Sequence, residues 1–147
     1  MGADADHLHH LLLDLVRTAE FALLDGVLPG RAPSLSQLLA IHELDHSGGI
    51  SQRELAEHLG LEKSSVSRLV ADLEGEGLLT RQRDPDNRRV YRLEITAKGR
   101  RFHREAAGVL HGRYERWAAA MTPAEREGLA AGLPALLRVM RADRLKD

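Results

Sequence analysis

A run of alternating residues near the middle of the chain constrains the fold more than any other feature. In DPDNRRVYRLEIT, residues 84–96, the odd-numbered positions Tyr91, Leu93 and Ile95 are apolar. This two-residue period is typical of a strand with one buried face. A turn signal with two adjacent arginines precedes it, and residues 79–83 can supply a partner strand. The sequence therefore predicts a two-stranded hairpin with a basic turn.

The segment before the hairpin predicts two short helices joined by a tight turn. Ser51 and Glu54 form a capping box, which starts the first of these helices. Gly60 stands where the end of that helix needs a positive φ. The second helix begins at Ser64 or Ser65, and one of these serines is expected to be its N-cap. Together with the hairpin that follows, these helices predict a winged helix-turn-helix.

Apolar residues at helical spacing fill the rest of the chain. They predict a helix over residues 5–24, a second helix from Ser34, a long helix over 100–121 and a last helix over 123–143. Pro134 lies inside the last helix and should kink it or break it into two pieces. The predicted fold class is mainly α with a small β-hairpin wing, a winged helix-turn-helix lobe plus terminal dimerisation helices.

This order of elements predicts the domain organisation. Residues 34–99 form the winged helix-turn-helix region, and residues 1–33 and 100–147 form a helical dimerisation region. The apolar stripes of the terminal helices exceed what one small lobe could cover, which favours packing against a second copy. The alternative is an intramolecular three-helix packing, which the similar stripes at both chain ends disfavour.

The charge distribution points to a polyanionic partner. The formal net charge is −1, but residues 81–104 contain nine basic and three acidic residues, a local balance of +6. Such a patch raises the local concentration of a polyanion such as DNA whatever the global charge is.

Composition and motifs exclude several other classes of protein. Cysteine is absent, which excludes disulfides, thiolate metal sites and cysteine-based redox sensing. No apolar run approaches the roughly 20 residues that span a membrane, and no basic segment precedes the first leucines, so a cytoplasmic protein is expected. The sequence has no Gly-x-Ser-x-Gly motif, no phosphate loop and no paired carboxylates in apolar surroundings. We therefore expect neither an enzyme nor a cofactor.

Two stretches of the chain resemble a known family. LAEHLGLEKSSVSRLVADLEGEGLLTR and DPDNRRVYRLEITAKG are similar to the helix-turn-helix and wing of the multiple antibiotic resistance regulators, the MarR family, and the resemblance extends roughly from Gln37 to Gly99. The positions that fall on the family's wing motif are Asp84, Arg89, Ile95, Thr96 and Gly99. Asn87 replaces the motif's second aspartate, so the usual support of the wing arginine should be weaker here.

This resemblance implies a homodimeric transcription regulator, usually a repressor, on a palindromic operator in double-stranded DNA. It also implies a small-molecule effector that releases the protein from DNA. The chemistry of the residues then predicts the DNA contacts, which are Lys63, Ser64, Ser65, Ser67, Arg68, Arg81, Arg83, Arg88 and Arg89. Arg68 is expected to read a base edge, Arg89 to contact a phosphate or the minor groove, and the other wing arginines to neutralise phosphates.

The effector site and two alternative functions complete the predictions. The cleft between the dimer helices and the winged lobe is predicted to be bordered by Leu12, Arg17, Phe21, His42 and Phe102. His42 and His46 lie four residues apart, so a zinc-sensing regulator is one alternative, although surface or interface histidines are favoured and no metal ligands are assigned. The other alternative is a winged-helix ligand-binding or protein-binding module that does not bind DNA.

Overall fold

The computed structural model describes residues 2–30 and 32–144. Met1, Arg31 and residues 145–147, which fall in the predicted dimerisation region, lie outside the described residues. The elements are α1 (Ala3–Leu24), α2 (Leu35–Ser47), β1 (Ile50–Ser51), α3 (Gln52–Leu59), α4 (Lys63–Gly75), β2 (Leu79–Arg83), β3 (Tyr91–Ile95), α5 (Ala97–Ala120) and α6 (Pro123–Arg144). The described chain forms two compact units, divided after Leu110, and α5 runs from the first into the second.

The wing is a three-stranded antiparallel sheet in the order β1-β3-β2, whereas the sequence predicted a two-stranded hairpin. Ile50 of β1 pairs with Leu93 of β3. Strand β2 pairs with β3 from Leu79 opposite Ile95 to Arg83 opposite Tyr91. The two residues of β1 are too few to show an alternating pattern, which is why the sequence did not reveal this strand. The predicted apolar face is also shorter than expected, because Tyr91 is exposed while Leu93 is buried.

Local signals set most of the helix ends as predicted. Ser34 and Ser51 are both N-caps whose hydroxyl oxygens accept the backbone N–H three residues later, and in each case the Gln or Glu side chain at that third position accepts from the cap's own N–H. Gly48 and Gly60 end α2 and α3 in the left-handed region, with φ of 69° and 64°.

The start of α4 corrects one prediction. Its N-cap is Glu62, which makes no side-chain capping hydrogen bond, so neither Ser64 nor Ser65 is the cap. The backbone explains the difference, because the Leu61 N–H donates to the Ala56 carbonyl at 3.0 Å and closes the end of α3. The chain therefore re-enters helical geometry at Lys63, and both serines lie inside the first turn.

Helix α6 excludes one of the two outcomes that were predicted for Pro134. It is a single helix from Pro123 to Arg144, and Pro134 does not break it into two pieces. Proline removes one backbone hydrogen bond, while the turns on both sides keep theirs.

The core of the first unit lies between α2, α3, α4 and the sheet. Its fully buried members include Ile41, Leu44, Leu55, Val66, Val70, Leu73, Leu78, Leu79 and Leu93. Phe102 and Ala106 on α5 join the same cluster. Burial of each large aliphatic side chain contributes about 1.5–3 kcal/mol to folding, so this core fixes α4 and the wing to one another.

Candidate nucleic-acid interface

The outer face of α4 carries the recognition-helix residues that the sequence predicted. Val66, Leu69, Val70 and Leu73 bury one face of the helix, and its period turns the intervening positions outward. The five residues of α4 that were predicted to contact DNA are all exposed, namely Lys63, Ser64, Ser65, Ser67 and Arg68. This face thus combines three hydroxyls with two cations, groups that can bond to base edges and phosphates.

The wing turn is ordered mainly by Asp84 and Asn87. The Oδ1 atom of Asp84 accepts the backbone N–H groups of Asp86 at 2.8 Å and Asn87 at 3.1 Å. The Oδ1 atom of Asn87 accepts the backbone N–H of Arg89 at 3.2 Å. The asparagine therefore holds the backbone of the wing arginine, a role for which it needs no charge.

The four wing arginines that were predicted to contact DNA lie in two kinds of environment. Arg88 and Arg89 are exposed in the turn. Arg83 donates from Nη1 to the Arg88 carbonyl at 2.8 Å, and its guanidinium lies 5.1 Å from the centroid of the Tyr91 ring. The Nε of Arg81 lies 3.0 Å from a carboxylate oxygen of Glu74. Arg81 and Arg83 thus have partners within the protein, and Arg88 and Arg89 project from the tip.

Arg92 is a residue that the sequence reasoning did not single out. It lies on the central strand, is half-buried, and donates to the backbone carbonyl of Gly49 at 2.7 Å. An arginine in the middle of a strand was the available signal, because a long cation there needs a nearby acceptor.

The residues predicted to border an effector cleft do not share one environment. Phe102 is buried in the core, Phe21 is 74% exposed, and Leu12 is half-buried. Arg17 pairs with Asp14 at 2.6 Å on the exposed side of α1. The fifth residue, His42, belongs to a histidine cluster.

That cluster joins α2 to α5. The Nδ1 atom of His42 lies 3.2 Å from Nε2 of His103, whose own Nδ1 lies 3.0 Å from a carboxylate oxygen of Asp45. His46 is adjacent, with Nδ1 at 2.8 Å from the His42 carbonyl oxygen. Partial burial lowers the pKa of His42 from its usual value of 6.5, and the neighbouring His46 and His103 lower it further.

The zinc-sensing alternative requires a group of metal-ligating side chains. Within residues 2–30 and 32–144 no group of three or more His, Asp or Glu side chains is arranged so that it could hold a metal ion. The contacts among the three histidines are ring-to-ring and ring-to-backbone contacts.

A cavity of about 360 Å³ lies between α1 and the start of α2. It is lined by Leu15, Val16, Ala19, Glu20, Leu23, Leu24, Ser34 and Leu35. These residues differ from the five that the sequence predicted for the effector. The lining is mostly aliphatic, with Glu20 and Ser34 as its polar side chains.

Comparison with known proteins identifies the class of the chain. A sequence model of the MarR family matches residues 34–91. A candidate transcriptional regulatory protein for the hcr operon of Thauera aromatica is 30% identical over 124 residues, covering 84% of this chain and 72% of that one. The uncharacterized helix-turn-helix transcriptional regulator YdgJ of Bacillus subtilis is 31% identical over 67 residues. The match covers 46% of this chain and only 41% of the length of YdgJ.

A solved structure agrees over nearly the whole chain. The transcriptional regulator PcaV from Streptomyces coelicolor, in complex with its natural ligand, superposes with a TM-score of 0.77. It is 26% identical and covers 97% of this chain and 99% of that one. In addition, none of the helices in the described ranges is long and apolar enough to cross a membrane.

Proposed function

The chain belongs to the MarR family of transcription regulators, and on that premise we propose that it is a cytoplasmic repressor that binds a palindromic operator as a homodimer. It has a winged-helix fold and is a regulator, not an enzyme. Exposed Lys63, Ser64, Ser65, Ser67 and Arg68 of α4 enter the major groove, and Arg88 and Arg89 of the wing reach the flanking backbone or minor groove.

One observation carries this proposal. A single core buries the inner face of α4 and the inner residues of the sheet, so the outer face of α4 and the strands that carry the wing turn are held on one rigid lobe. Both features expose groups that suit DNA, which are three hydroxyls and two cations on the helix and two cations on the turn. Base readout by the helix and phosphate contact by the wing are the two components that sequence-specific binding needs.

Exposed apolar residues on the terminal helices support the homodimer. On α1 the large exposed side chains are Leu8, Leu11, Leu13, Leu15, Val16 and Phe21. On α6 they are Leu129, Leu133, Leu137, Val139 and Met140. Apolar surface of this extent is uncommon on a monomer and marks an interaction site. We propose that residues 1–33 and 100–147 supply the dimer interface and that residues 34–99 supply the DNA-binding region.

A small-molecule effector is the third part of the proposal. PcaV has a natural ligand in its solved complex, and the cavity between α1 and α2 has a volume of about 360 Å³, within the range of ligand sites. We propose that a small, largely apolar molecule binds there and lowers DNA affinity. The predicted border residues Leu12, Arg17, Phe21, His42 and Phe102 remain candidates for contacts outside the cavity.

The test is selection of bound duplexes from a random-sequence pool with the purified protein. The expected result is an enriched inverted repeat, bound more tightly than random duplex. Arg68→Ala should weaken that preference, and Arg101→Ala, at an exposed position of α5, controls for the loss of one charge. Equal binding of all duplexes, or of none, would contradict the proposal and favour a winged-helix module that does not bind DNA.

A further inference from the structure

The side chain of Arg92 lies between the wing turn and the segment that leads into α3. Arg92 is the second residue of β3, the central strand, with Ser51 of β1 as its Cα partner on one side and Gln82 of β2 on the other. Ser51 is the N-cap of α3, so Arg92 adjoins the point where the helix-turn-helix begins.

One half of the Arg92 guanidinium holds the segment before α3. Its Nη2 donates to the Gly49 carbonyl at 2.7 Å, in a partly buried contact. Gly49 is itself buried, with a φ of 110° that other residues rarely adopt. A Cβ built on Gly49 would lie 3.5 Å from the Arg92 Nε, so the guanidinium packs directly against this backbone.

The other side of the Arg92 guanidinium faces the base of the wing turn. The Nη1 atom of Arg92 lies 3.9 Å from Oδ2 of Asp84, within ion-pair range. The second oxygen of the same carboxylate accepts the N–H groups of Asp86 and Asn87. Asp84 therefore connects Arg92 to the turn that carries the exposed arginines.

Polar contacts alone order the wing turn. Besides the bonds to Asp84 and Asn87, Arg83 donates to the Arg88 carbonyl at 2.8 Å. The backbone N–H groups of Asp84 and Val90 donate to the carbonyls of Val90 and Asn87, both at 2.9 Å. Residues 85–90 are all exposed, and Asp84 is the half-buried residue at their start. A turn that buries almost no apolar surface opens easily, because its order depends on a few polar contacts.

We propose that Arg92 is a positioning residue for DNA binding, which ties the wing turn to the start of the helix-turn-helix through Asp84 and Gly49. It acts through the backbone of the turn and not by touching DNA. This inference rests on the proposed function, since the turn it holds presents Arg88 and Arg89.

The first test uses the free protein, so it does not depend on DNA. In Arg92→Met the backbone amides of Asp86 and Asn87 should exchange hydrogen about fivefold faster, the scale of one partly exposed ion pair. The Leu78 amide, which donates to the Leu73 carbonyl at 2.9 Å, should change less than about twofold, because the core is untouched. Unchanged exchange at Asp86 and Asn87, or equal acceleration at all three amides, would overturn the proposal.

The second test is a mutant cycle on a duplex selected from the random pool. Arg92→Met should weaken binding about fivefold in the wild type and less than about twofold when Arg88→Ala and Arg89→Ala are both already present, because the wing turn then has no arginine contact to position. Arg92→Lys should recover only part of the loss, since one ammonium cannot meet both acceptors. Arg101→Met removes the same charge from the exposed face of α5 and should behave alike in both backgrounds.

Equal losses with and without the two turn arginines, Arg88 and Arg89, would overturn the proposal, since Arg92 would then contact phosphate itself. If the wild type binds no duplex, the proposed function is wrong, and the exchange experiment alone decides whether Arg92 holds the wing turn.

Discussion

Substitution of Gly99 by alanine should destabilise the protein at a point where α5 meets the sheet. A Cβ at this position would lie 2.1 Å from the Leu78 carbonyl oxygen and 2.7 Å from Cγ1 of Ile95. That oxygen cannot move freely, because it accepts the Thr96 N–H at 3.1 Å. Separation to an ordinary contact requires a backbone shift of about 1 Å, so the strain lies toward the upper end of overpacking costs, about 3 kcal/mol.

Alanine also favours the helix by about 1 kcal/mol relative to glycine. The expected net loss in the free energy of unfolding for Gly99→Ala is therefore about 2 kcal/mol. Gly108 provides the matched control on the same helix, since a Cβ there meets nothing within 4 Å. Gly108→Ala should be about 1 kcal/mol more stable than the wild type.

Urea unfolding of the three proteins, followed by circular dichroism, measures both differences. A difference of about 3 kcal/mol between the two variants is expected. If Gly99→Ala is as stable as Gly108→Ala, the close approach of α5 to the Leu78 carbonyl does not exist in solution, and the reasoning fails.

Three further predictions concern the interface, the histidine cluster and the assembly. Arg68→Ala should cost about 1–3 kcal/mol on the selected duplex and relax preference at one base pair per half-site, whereas Arg89→Ala should weaken selected and random duplexes by similar factors. Binding titrations of both variants with selected and random duplexes at two salt concentrations check this. If Arg89→Ala is the variant that relaxes base preference, the roles assigned to the two arginines are reversed. The pKa of His42 is lowered from 6.5, so the unfolded chain binds its proton more readily and the free energy of unfolding should fall as pH drops below about 6.5. In urea titrations at several pH values, His42→Gln should make the free energy of unfolding depend less on pH. A pH profile equal to that of the wild type would refute the role of His42. Sedimentation should give a dimer, and a species of 16.3 kDa at micromolar concentration would contradict the proposed interface.

The parts of the fold that the sequence predicted depend on local chemistry. The helix start at Ser34, the capping box at Ser51 and the left-handed glycine at Gly60 involve residues a few positions apart, so their patterns are visible in one dimension. The pairing of β2 with β3 followed from alternation and from the short turn between them.

The parts that could not be predicted depend on distant residues. The two residues of β1 become a strand only because β3 lies beside them. The contact of Arg92 with Gly49 joins positions 43 residues apart. The cap of α4 fell at Glu62, before the serines, because the Leu61 amide is already held by the end of α3.

For the candidate interface, the outward direction of the α4 residues was predictable from helical period and the burial of Val66 and Leu69. Which arginines have partners within the protein was not predictable. All four have the same side chain, and Arg81 and Arg83 differ from Arg88 and Arg89 only in their neighbours in the fold. Glu74 and the Arg88 carbonyl become partners only after the chain has folded.

The exposed turn at Arg88 and Arg89 makes the wing a natural site for proteolysis. Trypsin cleaves after arginine, and exposed turns are the preferred places for such cuts. Because the turn must open before it can enter a protease, the rate of the first cut reports how often the contacts of Asp84 and Asn87 are broken. A duplex that covers the wing should slow that cut, so limited digestion can locate bound DNA on the protein without any substitution in the chain.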